Sequence, residues 1–403
     1  MRITIIGAGQ GGLTAACFLA KGGHEVAVYE KNARDALSYD WHDDAAPSVF
    51  QEFGIPLPSS DAYFTKRNWS FVGPFSDKWC KLHEDAEKLD YSFERRLLSS
   101  HFVSLAESAG ANCYFESPVE ALIMDENRVK GVVLDGKEIF SELVIDSSGV
   151  FSKFRASLPE NFGIPKEPGG EGWVETYRAF FEPREGASPD PENTNRGYVK
   201  YLGKKALAWV IQDPPTGQIN VLVCKVGGFK EGEFDEFLRA LKEENPIIGD
   251  KVLRGGTAGC IPVRYPADKM VADGYAVVGD AAFMTTPMIG SGIASSTAGG
   301  AILADTVNQA GSAETAALWD YQVRFMKRCG AKHTAIDIMK RMLLNLEDVA
   351  LRYVFESGVM SEKDLIATTT GDMLVLTLSE LFKKLIAGIK DIPTLLKLND
   401  IIA

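Results

Sequence analysis

Several features that mark common protein classes are missing from this sequence of 403 residues. There is no surplus of positive charge: the net charge is -12 at pH 7, which argues against nucleic acid as a partner. The six cysteines are scattered without a C-x-x-C pair, and the five histidines are scattered too, so no metal site is expected. No run of about 18 uncharged apolar residues appears, so no membrane-spanning helix is expected.

The composition favours a large globular protein. Apolar residues make up 45% of the chain, which is enough for an extensive core. Scattered thiols are typical of a reducing compartment, and Met1 leads directly into a strand pattern, so no cleavable signal peptide is expected. These observations predict a cytoplasmic location.

A glycine-rich loop opens the chain within the order strand, turn, helix, strand. The stretch "ITIIGAGQGGLTAACFLAKGGHEVAVYEK" carries Gly7, Gly9 and Gly12 at the G-x-G-x-x-G spacing, with Gly11 in the same turn. The first glycine permits a tight turn, the second lets a pyrophosphate approach the backbone, and the third lets the helix pack closely. Glu30 ends the second strand, where a carboxylate can bind ribose hydroxyls. The segment therefore predicts a dinucleotide site.

A later stretch, "VVGDAAFMTTPMIGSGIASS" at 277–296, indicates which dinucleotide binds. Asp280 follows a buried strand, and Gly290 and Gly292 open a small-residue helix predicted over 290–304, with Ile293 as a further candidate cofactor contact at its start. The acid can accept hydrogen bonds from a polyol, and the helix start can present N–H groups to an electron-rich ring edge. NAD has neither a ribityl chain nor a ring carbonyl to place there, whereas FAD has both. FAD is therefore the predicted cofactor, the alternative being that Asp280 only caps the next segment.

A third segment, "ELVIDSSGVFSKFRASL" at 142–158, combines a strand, a turn through Gly149 and polar residues that end in Arg155. Short β patterns with intervening turns precede it and predict a small meander before the main sheet resumes. Arg155 is either part of this motif or an ordinary surface ion pair.

The three segments resemble the FAD-binding fold of the aromatic hydroxylases and are most similar to the geranylgeranyl reductase family. That family's three patterns fall here on 7–12, 146–155 and 279–293, and the resemblance spans roughly residues 1–310. It implies that Arg95 lies near the flavin and that the backbone of Val119 contacts adenine. The alternatives are a solvated face for Arg95 and a plain strand residue for Val119.

The pattern as a whole predicts an α/β protein. A Rossmann-like FAD-binding domain, with a mixed sheet and a β meander, is interleaved with an antiparallel β-sheet substrate domain and followed by C-terminal helices. The predicted boundaries are 1–40, 91–160 and 260–318 for the FAD-binding domain, 41–90 and 161–259 for the substrate domain, and 319–403 for the helices. The last 33 residues are amphipathic, which is typical of peripheral membrane contact or of packing against protein.

The substrate half departs from the family pattern. "ALAWVIQD" keeps only Trp209 of the family's Y-x-W-x-F-P, and against the W-x-W-x-I-P of the related flavin halogenases only Trp209 and Ile211 match. The apolar residues after Asp280 are either an approach for a prenyl chain or ordinary core. The predicted substrate contacts are Trp209, Met284 and Pro287.

The favoured function is an FAD-dependent oxidoreductase that reduces isoprenoid double bonds of a lipid or prenylated substrate by hydride transfer from reduced flavin. The electron donor is expected to be NAD(P)H or a reduced carrier protein, because no second dinucleotide fingerprint is present. No catalytic residue is assigned; Tyr39, His42 and Asp43 are candidate proton donors because "SYDWHDD" replaces a flavin-proximal loop. The alternatives are a flavin-dependent monooxygenase or halogenase, and a non-catalytic flavin-binding electron-relay subunit.

Overall fold

A computed structural model describes residues 1–65, 69–76, 80–82, 89–187 and 195–357. These residues form two compact units. Unit 1 comprises 1–64, 90–172 and 261–334, and unit 2 comprises the described parts of 65–89, 173–260 and 335–357.

The described strands belong to four sheets. In chain order they are β1 (Arg2–Ile6), β2 (Glu25–Tyr29), β3 (His42–Ala45), β4 (Tyr63–Thr65), β5 (Trp69–Val72), β6 (Cys80–Leu82), β7 (Tyr91–Glu94), β8 (Asn112–Tyr114), β9 (Ala121–Asp125), β10 (Arg128–Leu134), β11 (Lys137–Phe140), β12 (Leu143–Asp146), β13 (Trp173–Pro183), β14 (Asn195–Val199), β15 (Ala206–Gln212), β16 (Ile219–Val226), β17 (Ile248–Pro262), β18 (Val271–Ala272) and β19 (Tyr275–Val277).

The described helices alternate with these strands and continue after them. They are α1 (Gln10–Lys21), α2 (Ser48–Glu52), α3 (Arg95–Ser108), α4 (Lys153–Ser157), α5 (Glu233–Glu244), α6 (Ile293–Ala310), α7 (Thr315–Phe325), α8 (Ala331–Asn345) and α9 (Asp348–Ser357). A π-helical turn at Met326–Gly330 joins α7 to α8. No helix in the described ranges combines the length and apolar character needed to cross a membrane.

Unit 1 is built on a six-stranded sheet with the order β18-β19-β12-β1-β2-β8. β1 lies between β2 and β12 and pairs with both in parallel, and its apolar residues are buried. A strand of a parallel sheet is covered on both faces, which explains why the sequence of β1 is almost continuously apolar. The connection β1-α1-β2 is the βαβ unit that the glycine motif predicts, and α1 also packs against α6.

Two small three-stranded sheets also belong to unit 1. β11, β10 and β9 form the predicted meander, and β3, β7 and β4 form a sheet that leads into α3. In this second sheet His42 lies opposite Glu94 and Asp43 lies opposite Phe93. Because side chains alternate along a strand, these two pairs lie on opposite faces.

Unit 2 contains a seven-stranded sheet with the order β17-β13-β16-β15-β14-β5-β6. Alternate residues of β13, β15 and β16 form a buried core with Phe237 and Leu241 of α5. The alternation of buried and partly buried residues along β15, from Ala206 to Gln212, follows the period of two for a sheet with one fully buried face.

The α/β fold class is confirmed, but two predicted boundaries differ from the compact units. Residues 41–64 belong to unit 1 because β3 pairs with β7, a long-range contact that local sequence patterns do not reveal. The predicted helical region from 319 does not form a unit of its own: 319–334 belong to unit 1 and 335–357 to unit 2. The amphipathic tail, predicted to contact a membrane or to pack against protein, lies outside the described residues, as do 66–68, 77–79 and 83–88 of the predicted substrate domain.

Candidate functional site

The N-terminal glycines adopt the geometry that their motif requires. Gly7 has φ +90°, and its N–H donates to the carbonyl of Tyr29 at 2.8 Å. A Cβ on Gly12 would lie 2.8 Å from Ser147 Cβ, closer than packed side chains tolerate. A Cβ on Gly9 would meet only Ser147, at 3.2 Å from its Oγ. The Gly9 side of the loop is therefore the side on which a ligand can approach the backbone.

Glu30 sits directly beside this loop. Its carboxylate accepts hydrogen bonds from the N–H of Ala8 at 2.9 Å and from the N–H of Asn32 at 2.8 Å. Glu30 is itself buried. These bonds fix the carboxylate at the end of β2, and its remaining lone pairs are suited to ribose hydroxyls.

Asp280 lies in a short turn, Gly279–Ala282, in which every backbone carbonyl accepts a hydrogen bond. The carbonyls of Gly279 and Asp280 accept from the N–H groups of Met284 and Phe283, each at 3.1 Å. The carbonyl of Ala281 accepts from the Arg155 guanidinium. The carbonyl of Ala282 accepts from the N–H of Ala267 at 3.0 Å.

The Asp280 carboxylate, in contrast, makes no hydrogen bond or ion pair with any residue that the structure describes. The pKa of this carboxyl is raised to about 6, mainly because burial removes water from it; the charge of Arg95 opposes the rise and the charge of Asp43 adds to it. A carboxylate held in a rigid turn without a partner is an acceptor available to a ligand's hydroxyl groups.

The N-terminus of α6 lies next to this carboxylate. Gly290 has φ +69°, and a Cβ on Gly292 would lie 3.5 Å from Asp280 Oδ1. No side chain caps the helix, which begins at Ile293. Its first N–H groups and its positive dipole end are thus available for the oxygen-rich edge of a ring.

Close packing of two helices brings these two loops together. A Cβ on Gly11 would lie 3.0 Å from Val278 Cγ2 and 3.1 Å from the carbonyl of Ser296. A Cβ on Gly300 would lie 2.2 Å from the carbonyl of Gly11. Glycine at both positions lets α1 and α6 touch, so the N-termini of both helices belong to one site within unit 1.

Arg95 begins α3 and is largely buried rather than on a solvated face. Its guanidinium donates to Gln10 Oε1 at 3.0 Å and to Ser38 Oγ at 3.0 Å, and its Nε lies 3.4 Å from Asp43 Oδ2. The arginine therefore joins the first turn of α1 to the "SYDWHDD" segment. The prediction that it lies near a flavin remains a prediction.

Arg155 is not a surface ion pair, because its side chain is fully buried. The guanidinium donates to the carbonyls of Ala281 and Val150, and burial lowers its pKa against the opposing effect of Asp146. Asp146, also fully buried, accepts hydrogen bonds from the hydroxyls of Tyr275 at 2.6 Å and Ser152. The middle motif therefore forms a buried support beneath the Asp280 turn.

The "SYDWHDD" segment leads into β3, which begins at His42, and lies beside the loop that precedes α6. The hydroxyl of Ser291 donates to the carbonyl of Asp44 at 2.7 Å. His42 is buried, and its Nε2 lies 2.5 Å from Glu94 Oε1. Sequence patterns did not identify Glu94 as a functional residue, because its role depends on the register between β3 and β7.

The other predicted contacts fall in both units. Val119 is buried in irregular structure before β9, and within the described residues no hydrogen bond involves its N–H or carbonyl. Trp209 lies on β15 of unit 2, with Arg178 Cζ 5.2 Å from its ring. In unit 1, Pro287 is buried, and Met284 has no exposed surface and packs on Gly299. Contact of Trp209, Met284 and Pro287 with a substrate stays a prediction.

The donor set in unit 1 fits FAD. Glycine N–H groups and the α1 N-terminus suit a pyrophosphate, and Glu30 suits the adenosine ribose. The unpartnered Asp280 carboxylate suits the ribityl chain, and the α6 N-terminus suits the flavin ring. In the described ranges, no group of three or more His, Cys, Asp or Glu side chains is placed to hold a metal ion.

Comparisons with known proteins agree with this interpretation. A family model described as an NAD(P)-binding Rossmann-like domain matches residues 5–52, which include the glycine loop and Glu30. Digeranylgeranylglycerophospholipid reductase of Sulfolobus acidocaldarius is 23% identical over 420 aligned positions, covering 98% of this chain and 89% of the relative. Digeranylgeranylglycerophospholipid reductase 1 of Methanococcoides burtonii is 26% identical, with 90% of this chain and 87% of the relative covered.

Solved structures show the same fold. A geranylgeranyl bacteriochlorophyll reductase-like protein from Thermoplasma acidophilum superposes with a TM-score of 0.76 at 20% identity, covering 99% of this chain and 98% of that one. A flavin-dependent brominase superposes with a TM-score of 0.66 at 15% identity, covering 97% and 99%. The predicted resemblance to the geranylgeranyl reductase family is thereby confirmed.

Proposed function

We propose that this chain, which resembles the geranylgeranyl reductases along almost its whole length, reduces isoprenoid double bonds of a lipid or prenylated substrate with FAD as its cofactor. The observation that carries the proposal is that a curated reductase of this kind aligns with 98% of the chain. The substrate residues Trp209 and Pro287, and the donor of the electrons, NAD(P)H or a reduced carrier, belong to the proposal as well.

Different residues of unit 1 bind the two halves of the cofactor. The glycine loop and Glu30 bind the adenosine diphosphate half, and Asp280 and the α6 N-terminus orient the flavin half. When bound, reduced FAD supplies the hydride that an alkene carbon accepts. The protein's own contribution is to align the alkene with the ring and to exclude water.

Reduction of an alkene also needs a proton, and the three candidate donors have different surroundings. The ring of Tyr39 stacks on Trp41 at 4.2 Å, and Asp43 forms an ion pair with Arg95. His42 is buried and hydrogen-bonded to Glu94, and it lies on the opposite face of β3 from Asp43. All three residues therefore stay candidate donors in this proposal, and Asp43 is the one that pairs with Arg95 and whose charge acts on Asp280.

An anaerobic turnover experiment tests this function. Purified protein loaded with FAD is reduced with dithionite and mixed with lipids that carry geranylgeranyl chains. Each reduced double bond should add two hydrogens to the lipid, which mass spectrometry detects. Among the variants Tyr39→Phe, His42→Asn and Asp43→Asn, the one that removes the proton donor should slow this step by about 100-fold while keeping FAD, because general acid catalysis contributes roughly 10²–10⁴-fold.

Two results would count against the proposal. Lipids recovered without any mass gain, across several prenyl substrates, would remove the assigned activity. A long-lived oxygen adduct of the flavin, formed on rapid mixing of the reduced protein with oxygen and followed by product, would favour the monooxygenase or halogenase alternative. Structural similarity to a brominase shows a shared fold alone and does not favour that alternative.

A further inference from the structure

Phe283 is an unusual residue in the turn that carries Asp280. It has φ +57°, in the left-handed region that bulky side chains rarely adopt, and its ring is fully buried. A left-handed bulky residue persists only where its surroundings hold it in place. The sequence pattern suggested only that Phe283 is part of an apolar approach or of ordinary core.

Two buried guanidinium groups contact this ring. Arg155 Cζ lies 4.4 Å and Arg264 Cζ lies 4.8 Å from the centroid of Phe283. A cation over an aromatic face at this distance is attracted to it, and more strongly when water is excluded. Both arginines are buried, so the two contacts form in a desolvated setting.

Both arginines are in turn anchored to backbone. Arg155 donates to the carbonyls of Ala281 and Val150, and its Nε donates to the carbonyl of Lys166 at 3.3 Å. Arg264 donates to the carbonyl of Pro168 at 3.2 Å. Phe283 is therefore held by groups fixed at several points of unit 1, and its N–H closes the Asp280 turn.

We infer that Phe283, together with Arg155 and Arg264, is a positioning element that fixes the Asp280 carboxylate in the orientation that binds FAD. Phe283 itself does not contact the cofactor. The contacts of its ring hold the backbone of Phe283 in the left-handed conformation that ends the turn. The turn then fixes the position of Asp280. The inference rests on the proposed FAD site. It adds residues that hold the Asp280 turn in place without contacting FAD.

The test compares FAD affinity in five proteins: the parent, F283L, R264M, the double variant F283L/R264M, and F102L. F283L keeps an apolar side chain but removes the aromatic face. R264M keeps the ring and removes one cation. F102L is the matched control, because Phe102 is another fully buried ring of unit 1 and packs on Phe50 at 6.1 Å.

We expect F283L and R264M each to raise the Kd for FAD by about tenfold and to shift the visible absorption spectrum of the bound flavin. The double variant should bind FAD no more than about twofold more weakly than F283L alone, because both changes remove one interaction. F102L should lower the melting temperature without changing the Kd or the spectrum.

If folded F283L had a Kd for FAD within about twofold of the parent's, this inference would be overturned but the proposed function would not. If F283L does not fold, R264M carries the same test, since its ring and backbone remain in place. Failure of the parent protein to bind FAD would overturn the proposed function and this inference with it, so the two failures are distinguishable.

Discussion

Replacing Asp280 with asparagine is expected to weaken FAD binding about 10- to 100-fold, because a hydrogen bond to a charged acceptor contributes about 1.5–3 kcal/mol. The backbone of the turn should be unaffected, since its four carbonyls are bonded independently of this side chain. The amide keeps the size of the acid but not its charge. The loss should therefore appear in cofactor affinity and not in folding.

The same substitution should stabilise the cofactor-free protein at pH 7. Burial raises the pKa of Asp280 to about 6, so the folded protein holds this proton more tightly than the unfolded chain does. The stabilising effect of the neutral acid is present below pH 4 and is lost as the pH rises through about 6. Because the carboxyl group is still partly exposed, D280N should gain about 1–2 kcal/mol at pH 7.

Asp273 provides the matched control. Its carboxylate accepts hydrogen bonds from the N–H and the hydroxyl of Thr315, each at 2.6 Å, and these bonds lower its pKa. D273N should therefore destabilise the protein at pH 7 and leave the Kd for FAD unchanged. Urea unfolding at pH 4 to 8 and FAD titration check both variants. Equal FAD affinity in D280N and the parent would show that Asp280 does not bind the cofactor.

Alanine at Gly9 and at Gly12 should have different effects, although both glycines belong to one loop. At Gly12 the added methyl would lie 2.9 Å from Ser147 Oγ and 3.0 Å from the carbonyl of Gly7. Such overpacking costs about 1–3 kcal/mol, so G12A should lose both stability and FAD. At Gly9 the methyl meets only a serine side chain that can rotate, so G9A should fold normally.

G9A should nevertheless bind FAD at least about tenfold more weakly, because its methyl occupies the space where the pyrophosphate approaches the backbone. Circular dichroism melts of the cofactor-free variants measure the change in stability, and FAD titrations measure the change in affinity. If G9A bound FAD like the parent, the ligand would not approach the loop from the Gly9 side.

Local patterns were sufficient to predict the parts of the site that depend on neighbours in sequence. The glycine loop with Glu30 and the turn after β19 each lie within one continuous segment, so spacing alone indicates what they form. The fold class followed from the order of these segments. The assignment of individual residues to a bound FAD stays a prediction until it is measured.

Long-range contacts account for what the sequence did not reveal. The burial of Arg155 depends on Asp146 and on the turn at 279–282, more than 120 residues away. The sequence left Phe283 as either part of a prenyl-chain approach or ordinary core, because its two cationic neighbours come from other segments. The predicted boundary differs from the compact units at 41–64, because the pairing of β3 with β7 leaves no local signal.

The central claim is that one FAD molecule extends from the glycine loop to Asp280. Its most direct test is a calorimetric titration of the cofactor-stripped protein with FAD, with FMN and with ADP. A dinucleotide held at both ends should bind in a one-to-one ratio and at least about 100-fold more tightly than either half, since linked halves bind cooperatively. FMN or ADP binding as tightly as FAD, or no FAD binding at all, would contradict the account.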